Sequence, residues 1–177
     1  MAVGTTGAPV PLEEVKAFLR VAGTEEDALL AGLIRSAGDL CERFTRLALI
    51  QREVEERLAA SRAWARLGQT PVRAILGVSA LDAVGAETAL PAGDYSVDID
   101  AAGDGWVRVL RSEKAGRILV RYVAGQAEDW NGVPEALRHG VVRLAAHLYT
   151  HRDREDGSGP PAAVTALWLP YRRLRLS

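Results

Sequence analysis

The sequence predicts an α+β chain: a small antiparallel helical bundle with a β-rich module, sheet or barrel-like, inserted between its second and third helices. Two apolar stripes at helical spacing, one near each end of the chain, predict the bundle. Between them the apolar period shortens toward two and is punctuated by Gly, Pro and Asp, which predicts short antiparallel strands. The expected division is 1–48 for the N-terminal helices, 49–125 for the inserted module, and 126–177 for the C-terminal helices and a docking tail.

A first helix is expected from Pro11, whose fixed φ and missing N–H suit the first helical position. Leu12, Val15, Phe18 and Leu19 mark its apolar face, and Gly23 is its expected stop. Thr24 then reads as the cap of a second helix, with Asp27 three residues on as in a capping box. Leu29, Leu30, Leu33, Ile34, Ala37, Leu40, Cys41 and Phe44 form one wide stripe, opposed by Arg35, Asp39, Glu42 and Arg43, and the pattern fades near Arg46. In the middle region Ile50, Val54 and Leu58 alternate, and Val72, Ile75, Leu76 and Val78 follow Pro71. Asp82–Gly85 and Leu90–Asp94 read as turns. Tyr95, Val97 and Ile99, then Trp106, Val107 and Val109, then Ile118, Val120 and Tyr122 complete the strand pattern. A third helix is expected from Pro134, with Glu135 in its first turn and Leu137, Val141, Leu144, Ala145 and Leu148 on its inner face. Charged residues Arg152–Asp156 lead out of it, and a last short element is expected from Ala163 to Leu169 before Pro170.

The 177 residues carry 22 basic and 23 acidic side chains, a net charge of −1, so no global field draws the chain to nucleic acid or membrane. Lysine occurs only as Lys16 and Lys114, and arginine supplies the other cations. One cysteine, Cys41, excludes an intrachain disulfide and a cysteine-based metal cluster. No apolar run approaches the ~20 residues that cross a bilayer, and Met1–Pro11 lacks the basic start and apolar centre of a signal peptide. The bland expectation is an intracellular protein of a reducing compartment.

No catalytic constellation stands out. His147 and His151 share a helical face at a spacing two zinc ligands can use, but no glutamate follows His147 and no cysteine is near. With His139, they read more simply as polar residues of the third helix. Cys41 sits at an apolar position and reads as a small core residue. Glu53, Glu55 and Glu56 read as a solvated strand face. Asp98, Asp100 and Asp104 lack the D-x-D-x-D-G order and closing glutamate of a calcium loop. Neither a G-x-S-x-G elbow nor a phosphate cradle is present, and Gly103–Gly105 is only a turn. No cofactor or metal is expected.

The tail is different. Leu174 and Leu176 alternate with Arg173 and Arg175, after Tyr171 and Arg172. Three arginines could meet DNA phosphates. The alternation instead favours an extended segment that lies in a partner's groove or adds to its sheet.

The order of motifs resembles the phage head–tail connector (adaptor) family, found in tailed phages and gene transfer agents. Pro11–Val21 (PLEEVKAFLRV), the Glu25–Leu30 start of the second helix, and Ala37–Ile50 resemble the family's opening. Tyr122–Gly125 followed by Val133–Arg138, then Ala146–Arg152 and Leu169–Arg173, resemble its C-terminal half. The resemblance spans nearly the whole chain and is vaguest in the β insertion. It implies a non-enzymatic virion structural protein, a ring of identical subunits, commonly twelve, beneath the portal protein at the head–tail interface. Such a ring extends the DNA channel, through which DNA passes without specific binding, and docks a stopper or tail protein. Assembly is expected in the bacterial cytoplasm. Tyr171, Arg172, Arg173, Leu174, Arg175 and Leu176 are then the expected portal-docking tail. The alternatives are another neck protein (stopper or tail terminator) and a DNA-binding, packaging-associated protein using its arginine tail.

Overall fold

A computed structural model describes residues 10–111, 116–151 and 159–173. It is α+β, and its described residues form two compact units: one spans Gln51–Gln126, and the other joins Val10–Ile50 with the chain from Ala127 to Arg173.

The helical unit holds α1 (Leu12–Leu19), α2 (Asp27–Thr45), α3 (Glu135–Thr150), α4 (Ala162–Trp168) and a 3-10 turn, Leu169–Tyr171. Leu30, Ile34, Ala37 and Cys41 from α2 meet Leu137, Val141, Leu144 and Ala145 from α3, so the two predicted stripes close on one core. At its far end Trp168 is fully buried and stacks its indole at Gly140 of α3. A Cβ at position 140 would come within 2.8 Å of Trp168 Cδ1 and Cε2, so only glycine lets the ring approach this closely. Phe44 packs obliquely on the same indole, ring centres 5.9 Å apart. Buried Lys16 of α1 reaches Asp27 of α2 at 2.8 Å, a charge-assisted bond that holds its ammonium above the ordinary value.

The termini of these helices differ from expectation. Pro11 takes the N-cap position, one residue before the first turn. Helix α1 stops at Arg20, not Gly23: Arg20 is left-handed (φ 59°) while Val21 N donates to Lys16 O. Thr24 offers no side-chain cap to α2, which starts at Asp27, with Thr24 O accepting from Asp27 N in the preceding turn. Leu29 is 43% exposed and Phe18 51% exposed, so neither joins the core as its stripe predicts. Arg46 is left-handed (φ 61°) and closes α2 where the apolar pattern fades.

The β unit contains β1 (Arg52–Ala59), β2 (Ala65–Arg66), β3 (Val72–Leu81), β4 (Glu87–Ala89), β5 (Tyr95–Ile99), β6 (Gly105–Val109) and β7 (Arg117–Ala124). A four-stranded antiparallel sheet runs β1-β7-β3-β4, and a three-stranded one runs β2-β6-β5. One core joins them: Val54, Val72, Val78, Ile118, Val120 and Tyr122 from the first, with Val107 and Val109 from the second and Leu67 just beyond β2. The alternation along β1 holds, with Val54 buried between exposed Glu53 and Glu55. Strand β3 departs from period two at two register shifts, and Leu76 at the second of them is 54% exposed. Ile50 forms no part of β1; it bridges to Ala127 within the helical unit. The short strands β2 and β4 had no signal of their own in the apolar pattern.

The Asp82–Gly85 turn forms as expected, with Asp82 Oδ1 accepting from Val84 N and Ala86 N and Gly85 at φ 88°. The loop before β6 is built the same way around Asp100.

Candidate assembly surfaces

Asp100, Asp104 and the His147–His151 pair have structural partners. Asp100 accepts from Ala102 N and Asp104 N and, through its other oxygen, from Trp106 Nε1 at 3.0 Å. Asp104 pairs with Arg66 at 2.7 Å and accepts from Thr70 Oγ1. Among the described residues no three metal-ligating side chains converge. His147 and His151 stack with ring centres 4.2 Å apart, and His151 Nδ1 lies beside His147 O and Thr150 Oγ1 at the end of α3. Burial pushes the Cys41 thiol up, well above the usual range, which keeps it protonated and unreactive.

Glu56 corrects the expectation of three solvated glutamates. It sits on the inner face of β1, where Tyr122 Oη donates to its Oε2 at 2.7 Å and Gly68 N donates to the same oxygen at 2.8 Å. Gln69 N donates in turn to Tyr122 Oη. Burial pushes the Tyr122 phenol up, so it stays a neutral donor. Glu55 and Glu87, by contrast, grip Arg121 from either side at 2.7 Å each across the outer face of the four-stranded sheet.

Of the expected docking tail, the structure describes the first three residues. Tyr171 ends the 3-10 turn and packs against the helical core. Arg172 lies with its guanidinium 5.4 Å from the Phe44 ring centre, and Arg173 N donates to Thr45 O at the end of α2. Leu174, Arg175 and Leu176 lie outside the described residues, as does the Arg152–Asp156 exit. The root of the tail is thus held against the last turn of α2. Pro170 lies within the 3-10 turn and does not end the last helix, which already gives way at Leu169.

Sequence reasoning overlooked a second surface. Trp64-Ala-Arg66 and Trp106-Val-Arg108 repeat one W-x-R pattern, and antiparallel pairing of β2 with β6 sets Arg66 opposite Trp106. The same register carries Trp64 to Arg108, whose guanidinium stands 4.5 Å from the ring centre. Val107 between them faces the core, so the outer face alternates tryptophan and arginine. The repeat was visible in the sequence, but only strand register makes it one surface.

The sequence profile of the family described as phage gp6-like head-tail connector protein matches residues 10–75. Comparison with curated protein sequences returned no match. Among solved structures, the chain is similar to one in the neck of an empty gene transfer agent (GTA) particle computed with C6 symmetry. The TM-score is 0.82 at 28% identity, covering 100% of this chain and 97% of that one. It is also similar, at TM-score 0.78 and 28% identity with the same coverage, to chains in the virion of the native GTA particle and in its neck computed with C12 symmetry. Matched along its opening by the connector profile and similar over its full length to a particle neck protein, this chain resembles the phage head–tail connector family.

Proposed function

We propose that this chain is a non-enzymatic connector subunit of a phage or GTA particle, forming a ring of identical copies beneath the portal. The ring would extend the DNA channel and dock the neck or tail. The observation that carries this reading is the likeness over 100% of the chain to a protein of a symmetric particle neck. Other properties support it. A repeated heterologous contact that closes on itself leaves no open end, so modest interfaces sum to a stable ring. The net charge of −1 gives the DNA no long-range hold on the channel wall. The Asp82, Asp100 and Glu56 clusters are engaged in turns and cross-strand bonds, as in a scaffold.

Within this reading Tyr171, Arg172, Arg173, Leu174, Arg175 and Leu176 form the portal contact, rooted by the bond from Arg173 N to Thr45 O. Arginine at such a site supplies a fork of donors for partner carboxylates and carbonyls. Negative-stain imaging of the chain mixed with purified portal tests the function: capped portals are expected, and bare portals with free monomers would refute it. Deleting Tyr171–Ser177 should abolish capping; unchanged capping removes the tail from the contact. A salt titration against duplex DNA checks the packaging alternative, because a phosphate-binding protein loses affinity steeply with salt and a connector should hardly bind.

A further inference from the structure

The outer face of the β2-β6-β5 sheet carries a stacked tryptophan–arginine pair. Trp64 is 42% exposed although it stacks under Arg108. Arg108 is half-buried, its Nε is shielded from solvent without a hydrogen bond, and no carboxylate pairs with it among the described residues. The neighbouring side chains have partners: Arg66, whose Nε is likewise unbonded, pairs through its terminal nitrogen with Asp104, and Trp106 donates to Asp100. A guanidinium stacked on tryptophan with its donor edge uncommitted is the type of group that anchors protein interfaces. Asp98, in register with Trp106, adds to Asp100 and Asp104, so carboxylates outnumber arginines 66 and 108 around this face. A phosphate backbone would be repelled there, whereas a single carboxylate beside an apolar side chain would fit.

The chain itself offers that complement. On the outer face of the β1-β7-β3-β4 sheet, Glu53 is exposed and has no described partner, whereas Glu55 two residues on is committed to Arg121. Glu53 lies in register with Val123, and Val123 with Ala74; close by on β3, Leu76 at the register shift is 54% exposed. The two sheets share one core, so their outer faces lie on opposite sides of the Gln51–Gln126 unit. Different, oppositely directed faces that match each other generate head-to-tail contacts, and such contacts can close into a ring.

We propose that the Trp64–Arg108 face of one copy docks on the Glu53–Leu76 face of the next, with Arg108 receiving Glu53 and Trp64 covering Leu76. This rests on the ring reading above and names the two faces that meet in it. The test is charge exchange in the full chain: Arg108→Glu, Glu53→Arg and the double variant, each mixed with purified portal and counted in copies per portal by native mass spectrometry. Circular dichroism and urea midpoints confirm that each variant is folded. Each single variant should need about tenfold more protein to reach full occupancy, and the double variant should recover most of that loss. Single variants that assemble as the wild type does would overturn the pairing of faces and leave the ring standing. A double variant no better than the singles would also overturn the pairing. Wild-type chain that adds to portals in no more than one copy would overturn the ring reading itself. If Arg108→Glu abolishes a salt-sensitive DNA affinity and leaves assembly intact, the face serves nucleic acid and the proposal fails.

Discussion

The two units bury their cores by different means. In the helical unit nearly every core contact is apolar, and the tightest one depends on a missing side chain, Gly140 beneath Trp168. In the β unit a polar cluster reaches the core, with Tyr122 bonded to Glu56 and Gln69 among valines. A helix presents one stripe and can be apolar along it, so its stability rests on shape. Short strands present a narrower inner face, and here a hydrogen-bonded phenol and carboxylate complete it. The helical core is thus set by shape, and the β core by shape together with polar bonding.

That contrast predicts graded losses. Trp168→Ala should be the most damaging single change, about 3–5 kcal/mol in urea unfolding, because it empties the space that α3, α4 and Phe44 share. A loss under about 1 kcal/mol would mean the indole is not the keystone of the helical unit. Gly140→Ala should cost about 1–3 kcal/mol by overpacking the same indole, and a blue shift or broadening of tryptophan emission should accompany it. In the β unit, Tyr122→Phe keeps the ring and removes the hydroxyl, leaving Gln69 N–H and Glu56 short of a partner; about 1–2 kcal/mol is expected. If Tyr122→Phe proves neutral, the polar cluster is ornamental and the contrast between the units weakens.

Two smaller effects sharpen it. Bonding to Asp27 raises the Lys16 ammonium above 10.5, so the stability it contributes is complete below that pH and declines as pH rises through the folded value. Lys16→Met should flatten that part of the alkaline unfolding profile. Arg20→Gly should stabilise by about 0.5–1 kcal/mol, because glycine occupies the left-handed position at φ 59° without Cβ strain. A destabilised Arg20→Gly would show that the arginine side chain contributes more than its backbone strain costs.

Legibility followed the physics of each element. Helices α2 and α3 were plain in the sequence because burial along one stripe repeats every three or four residues, and those residues do line the core. Helix ends were less plain: Gly23 and Thr24 carried the usual signals, yet the chain turned at Arg20 and restarted at Asp27, where packing set the stop. Leu76 looked like a core residue until two register shifts in β3 set it outside. The tail's alternation was legible, and its root at Thr45 was not, because that bond joins residues far apart in the chain.

By itself the sequence determined the mixed class, the two helical stripes, the turns at Asp82 and Asp100, and the likeness to the connector family, because each of these depends on local pattern and spacing. Only tertiary structure decided that Gly140 seats Trp168, that Glu56 faces inward, and that two distant W-x-R segments form one face. Those outcomes depend on which strands and helices become neighbours, and pairing across tens of residues leaves no period in the chain to read.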